Sequence, residues 1–169
     1  RQGRIAARQG QQELALASYR AAVESIESIR QDIPIEYEGN RSSFRDTLEP
    51  IYLGLADLLL GASEKLAGEE RNAALKQVRS VVEIIKQTEM QDYLGERCSV
   101  ESATDATDAR LPEDTAVLYP IILPGRVELL LETRDGMVRR TSPVAAEKLR
   151  GVIQEFAHLL RSDPDSELP

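Results

Sequence analysis

Residues 116–141 read AVLYPIILPGRVELLLETRDGMVRRT, and this stretch decides what kind of fold the chain builds. Two apolar runs, Val117 to Leu123 and Val127 to Leu131, are separated by Pro124-Gly125, and Arg134-Asp135-Gly136 separates the second from a third run, Met137 to Thr141. Pro-Gly and Asp-Gly are turn dipeptides, so the spacing predicts a three-stranded antiparallel meander. In Ile121-Ile122-Leu123 and Leu129-Leu130-Leu131 apolar side chains occupy successive positions, which in a strand point to opposite faces. Both faces of the sheet therefore require cover. The sheet reads as the opening of a larger domain, with Ile121 to Leu131 offering an unpaired edge.

One amphipathic helix follows the meander. Ser142-Pro143 supplies a cap and a proline suited to a first turn. Ala145, Leu149, Val152, Ile153, Phe156, Leu159 and Leu160 then share one face, up to about Ser162. The tail to Pro169 is polar.

Upstream the pattern is helical. Leu14, Ala17, Ala21, Ala22, Ile26 and Ile29 recur at helical spacing, and Gly10 divides that segment into a stub, a turn and a long helix. Residues 31–40 form a connection with a Gly39-Asn40 turn signal. Ser42 or Ser43 is placed to cap a second helix running to about Leu60, in which Pro50 imposes a kink or a late start. Gly61 and Gly68 are read as helix ends, and Glu69-Glu70 open a third helix at the positive end of its dipole. That helix carries Ala74, Val78, Val81, Val82, Ile85 and Leu94 and stops at Gly95. Residues 96–115 are polar and acidic, too long for an ordinary internal loop, and mark a boundary. The expected class is α+β: a three-helix antiparallel bundle over 1–95, a linker over 96–115, the meander and its helix over 116–162, and a tail over 163–169.

Composition narrows the function. The 169 residues carry a formal net charge of −8, against the clustered Lys and Arg that nucleic acid requires. Arg139-Arg140, the only adjacent basic pair, is read as solvated charge at a strand end. One cysteine, Cys98, leaves no intrachain disulfide, and with the single His158 it makes no Cys/His zinc set. Asp105, Asp108, Glu113 and Asp114 lack the alternation and central glycine of a calcium loop. No cofactor, metal or membrane contact is expected, and the setting expected is reducing and cytoplasmic. The absent initiator methionine suggests an excised piece. Tyr37 and Tyr119 are read as exposed aromatic contacts.

Gly10, Ala15, Tyr19 and Ala22 match the glycine, alanine, aromatic and alanine positions of a tetratricopeptide repeat, where small residues let two helices approach. The match covers about half a repeat. Along the whole chain, IYLGLADLLL, the helix end at Tyr93-Leu94-Gly95-Glu96-Arg97-Cys98, the acidic linker and the run Val117 to Leu131 resemble the junction of bacterial, especially cyanobacterial, CHAT-domain proteins. These are caspase-like proteins associated with tetratricopeptide repeats. The resemblance implies a helical interaction segment joined to the first strands of a caspase-like domain. Its proteases use a His and Cys dyad in His-Gly and Ala-Cys settings. Neither His158, in Phe156-Ala157-His158-Leu159, nor Cys98 matches such a setting.

The expected function is therefore a non-catalytic protein-interaction and scaffold segment, with Tyr119, Ile121, Leu123, Val127, Leu129 and Leu131 as sheet-edge or partner contacts and Gly10, Ala15, Tyr19 and Ala22 as repeat packing. The expected partner is protein: the rest of a CHAT domain, a processed chain or a second copy in a homodimer. The alternatives are an independent helical adaptor whose strands cap the bundle, and, least of all, a hydrolase using Cys98 and His158.

Overall fold

A computed structural model describes residues 1–29, 37–38, 41–42, 47–94 and 111–162. The class is α+β. The helical part comprises α1 (Gln2–Arg8), α2 (Gln12–Ile29), α3 (Glu49–Ser63) and α4 (Gly68–Leu94). Two-residue strands β1 (Tyr37–Glu38) and β2 (Arg41–Ser42) pair antiparallel between α2 and α3. The meander is β3 (Val117–Leu123), β4 (Arg126–Thr133) and β5 (Gly136–Ser142), and α5 (Ala146–Ser162) follows it.

Gly10 sits between α1 and α2 with φ 74, a left-handed value that side chains disfavour, and thereby makes the turn that the sequence places there. Its contribution is conformational, since nothing lies within 4 Å of where a Cβ would be. Close packing belongs to Gly3 and Gly54. They hold the Tyr19 ring between α1 and α3, and a Cβ on Gly54 would lie 2.4 Å from Tyr19 Cε1. Of the residues expected on the inner side of α2, Leu14 and Ile29 are exposed, whereas Ala15 and Val23 are buried and Leu16, Tyr19 and Ile26 pack beside the core. The apolar stripe is thus rotated relative to the expectation, because the ring of Tyr19 must enter the gap that the two glycines leave.

Pro50 gives α3 its late start, standing in the first turn where no helical N–H partner is lost. Ser42 does not cap this helix: it lies in β2, pairing with Tyr37. Nor does Gly61 end it, since α3 continues to Ser63, whose hydroxyl donates to Leu60 O at 2.7 Å. Ser43, Gly95, Cys98, residues 96–110 and the tail over 163–169 lie outside the described residues.

The sheet has the order β3-β4-β5, with Leu123 paired to Arg126 across Pro124-Gly125 and Thr133 paired to Gly136 across Arg134-Asp135. Its inner face carries Tyr119, Ile121, Leu123 and Leu130. These join Leu59, Leu60, Leu75, Val78 and Val82 of α3 and α4 in one core. The bundle thus covers one sheet face, and Met137 N–H donates to Asn72 Oδ1 of α4 at 3.0 Å. On the outer face Leu118, Leu131 and Val138 stand in register across the three strands.

Candidate functional site

Two surfaces of the sheet concentrate the unusual chemistry. The inner face, which the bundle covers, places Glu128 and Glu132 on either side of Leu130 at a strand's two-residue period. Glu128 is fully buried and accepts from Arg139 Nε and Nη2 at 2.8 Å each, from Arg126 Nε at 2.5 Å and from Thr141 Oγ1 at 2.8 Å. Burial alone would raise its pKa; the bonds from Arg139, Arg126 and Thr141 outweigh that and bring it down to about 2. Arg139 is tied further to Leu60 O at 2.8 Å and to Glu64 at 3.2 Å, and Arg126 to Asp57 at 2.5 Å. Bonding to Glu128 holds the Arg139 guanidinium above its ordinary pKa.

A second knot lies toward the other end of the strands. Arg79 of α4 pairs with Glu132, and the Tyr119 hydroxyl donates to Glu83 Oε1 at 3.2 Å and Glu132 Oε2 at 3.3 Å. Burial, reinforced by the charges of Glu83 and Glu132, pushes the Tyr119 phenol up to about 12. Lys86 Nζ lies 5.0 Å from the ring centroid. The two knots fasten all three strands to α3 and α4 through bonds whose direction fixes the docking angle.

The outer face is the opposite. Leu118, Ile122, Leu131 and Val138 are exposed there, 37–53% of each residue's surface remaining in water. Helix α5 adds Val152, Ile153, Phe156, Leu159 and Leu160 on one stripe, between 52% and 62% exposed. The start of α5 is held against the sheet. Ala146 is buried, and its N–H donates to Pro124 O at 3.2 Å, at the β3–β4 turn. Glu147 and Arg150, in the first two turns, border a cleft with Leu53 and Asp57 of α3 and Ile122 of β3.

The expected contact residues divide between these surfaces. Tyr119, Ile121 and Leu123 face the bundle and are buried, so Tyr119 is no exposed contact. Val127, Leu129 and Leu131 lie in β4, which is paired on both sides; among the described residues the edge strands are β3 and β5, so the Val127–Leu131 run is not at an edge. Of the repeat-packing residues, Ala15 is buried and Tyr19 fills the gap between Gly3 and Gly54. Arg139 is no solvated charge: it is buried at 8% exposure, while Arg140 is exposed. The sequence held one signal for this seam, the Glu128/Glu132 pair on the face of Leu130, opposite Arg139 and Thr141 once register is known. His158 lies on exposed α5.

Among the described residues no cluster of three or more His, Cys, Asp or Glu is placed to hold a metal ion, and no helix is long and apolar enough to cross a membrane. Comparison with models of known protein families, with curated proteins and with solved structures found no match.

Proposed function

We propose that this chain is a non-catalytic protein-interaction and scaffold segment of the CHAT type, working in the cytoplasm, whose sheet is completed by further polypeptide. One observation carries the reading: the sheet is fastened on its inner face by buried ion pairs, while its outer face and the α5 stripe present apolar side chains to water. Apolar residues grouped on a sheet face and along a helix stripe support contact with another polypeptide rather than an ordinary surface. The resemblance of residues 116–141 to the opening strands of a caspase-like domain gives that polypeptide a kind, the core of such a domain.

Co-expression with the caspase-like core of a CHAT-type protein, lacking its own opening strands, tests this. The expected result is a co-purifying complex that Leu118→Glu or Val138→Glu abolishes while the chain keeps its far-ultraviolet circular dichroism. A soluble core that never associates would overturn the proposal.

The second reading is an independent helical adaptor. The sheet's docking on α3 and α4 through Glu128, Arg139, Arg79 and Glu132 favours it, because such a seam makes bundle and strands one cooperative body. Hydrogen exchange separates the two: slow exchange throughout β3, β4 and β5 in the chain alone supports the adaptor, and ready opening of the meander supports the scaffold segment.

A further inference from the structure

We infer that the occupant of the uncovered sheet face is α5 of a second copy of this chain, so that two molecules exchange helices reciprocally. This rests on reading the outer face and the α5 stripe as an interaction surface, and it names what covers that surface when no caspase-like core is bound.

The dimensions match. Three strands about 4.8 Å apart make a face that one helix about 10 Å across covers, and a 17-residue helix, about 25 Å long, spans a seven-residue strand. Each copy carries one such helix stripe and one such face, open at Leu118, Ile122, Leu131 and Val138 although Val127 on the same face is buried. Four sheet residues and five helix residues at the exposures given above leave roughly 800 Å² of apolar surface per copy, shared between the sheet face and the helix stripe. Burying it reciprocally removes roughly 1,600 Å² in total, the size of a standard stable interface. The flanks of the stripe are charged, with Lys148 and Glu155 along one side and Arg150 and Arg161 along the other. Exposed Arg140 lies on the outer face in register with Leu129, so a partner helix can set Glu155 against it.

Closure of α5 on its own sheet is disfavoured by how the helix begins. The connection from β5 is three residues, 143–145, and α5 starts against the β3–β4 turn with Ala146 buried and bonded to Pro124. Near its start, Glu147 and Arg150 border Leu53 and Asp57 of α3. Folding back in the same molecule would break that anchor. A short, anchored hinge beside an uncovered element is the arrangement that favours exchange between copies.

Light scattering on the 169-residue chain at micromolar concentration tests the inference. The expected mass is twice 18.8 kDa, and Phe156→Glu on the helix or Leu131→Glu on the sheet should each give a monomer with unchanged circular dichroism. Mixing the two variants should restore a dimer, held by the one native helix-on-sheet contact and about tenfold or more weaker. If Leu131→Glu unfolds the chain, Val138→Glu replaces it. Dimerisation that Phe156→Glu abolishes and both sheet variants leave intact would mean helix-to-helix pairing and overturn the inference. So would a wild-type monomer. A monomer that enhances the fluorescence of anilinonaphthalene sulfonate leaves the interaction reading standing without self-exchange, whereas one that does not enhance it removes both.

Discussion

The two faces of one three-stranded sheet reverse the usual distribution of side chains. The face packed on α3 and α4 holds Glu128, Glu132, Arg139 and part of Arg126 among its apolar residues, and the face turned to water is largely Leu, Ile and Val. Position in strand register, not side-chain polarity, decides which of two neighbours is buried. Arg139 and Arg140 are adjacent in sequence and alike in chemistry, yet one is buried in four bonded contacts' reach of Glu128, Leu60 and Glu64 and the other is solvated. Ion pairs specify how the sheet docks, while apolar surface is left for association.

The sharpest way to break this comparison is to truncate the two arginines separately. Arg139→Ala leaves Glu128 buried with Arg126 and Thr141 alone, and removing one partner of a buried pair costs about 3–5 kcal/mol. Arg140→Ala should change stability by less than about 0.5 kcal/mol. Urea unfolding monitored by circular dichroism at neutral pH measures both, and equal effects would show that the seam contributes nothing special.

Titration probes the same face without mutation. Glu128 has a folded pKa of about 2, below the ordinary 4.5, so its stabilisation is present above about pH 4.5 and lost as pH falls toward 2. The difference corresponds to about 3 kcal/mol. Glu128→Gln should flatten that part of the acid stability profile. Tyr119 runs the other way in pH. Its phenol is pushed up from 10 to about 12, so its stabilisation is complete below pH 10 and declines as pH rises through 12, an effect of about 3 kcal/mol that Tyr119→Phe should remove. An alkaline profile identical in wild type and variant would detach Tyr119 from the seam.

Much of the backbone was legible in the sequence and much of the side-chain logic was not. Turn dipeptides and apolar runs located the meander, because two-residue turns leave little freedom in register. Gly10 and Pro50 announced their turn and late helix start through backbone restrictions local to themselves. The seam escaped because Glu128 and Arg139 are eleven residues apart and Arg79 and Glu132 fifty-three, and nothing local tells that two charges will be desolvated together. Expecting edge contacts at Val127 to Leu131 failed for a related reason: which strand becomes central depends on where the third one pairs. The exposed stripe of α5 had the opposite fault. Its periodicity was plain, but periodicity reports an apolar face and not whether anything covers it.

The smallest expected effect sharpens the comparison most finely, since it lies between adjacent leucines of one strand. Leu130 is fully buried on the inner face, and Leu131 is 38% exposed on the outer one. Leu130→Ala should cost about 2–5 kcal/mol, because the core of α3, α4 and β3 cannot collapse into the vacated space. Leu131→Ala, measured at nanomolar concentration where association is negligible, should cost about 1–2 kcal/mol, since the 38% of its surface left in water is buried only against another molecule. Raising the concentration to tens of micromolar separates the two contributions. The Leu130→Ala deficit should stay constant, and the Leu131→Ala deficit should grow with concentration as the wild type gains the stabilisation of a covered outer face. A Leu131→Ala deficit that is large at nanomolar concentration and independent of concentration would place that side chain in the monomer's own core and erase the distinction between the two faces.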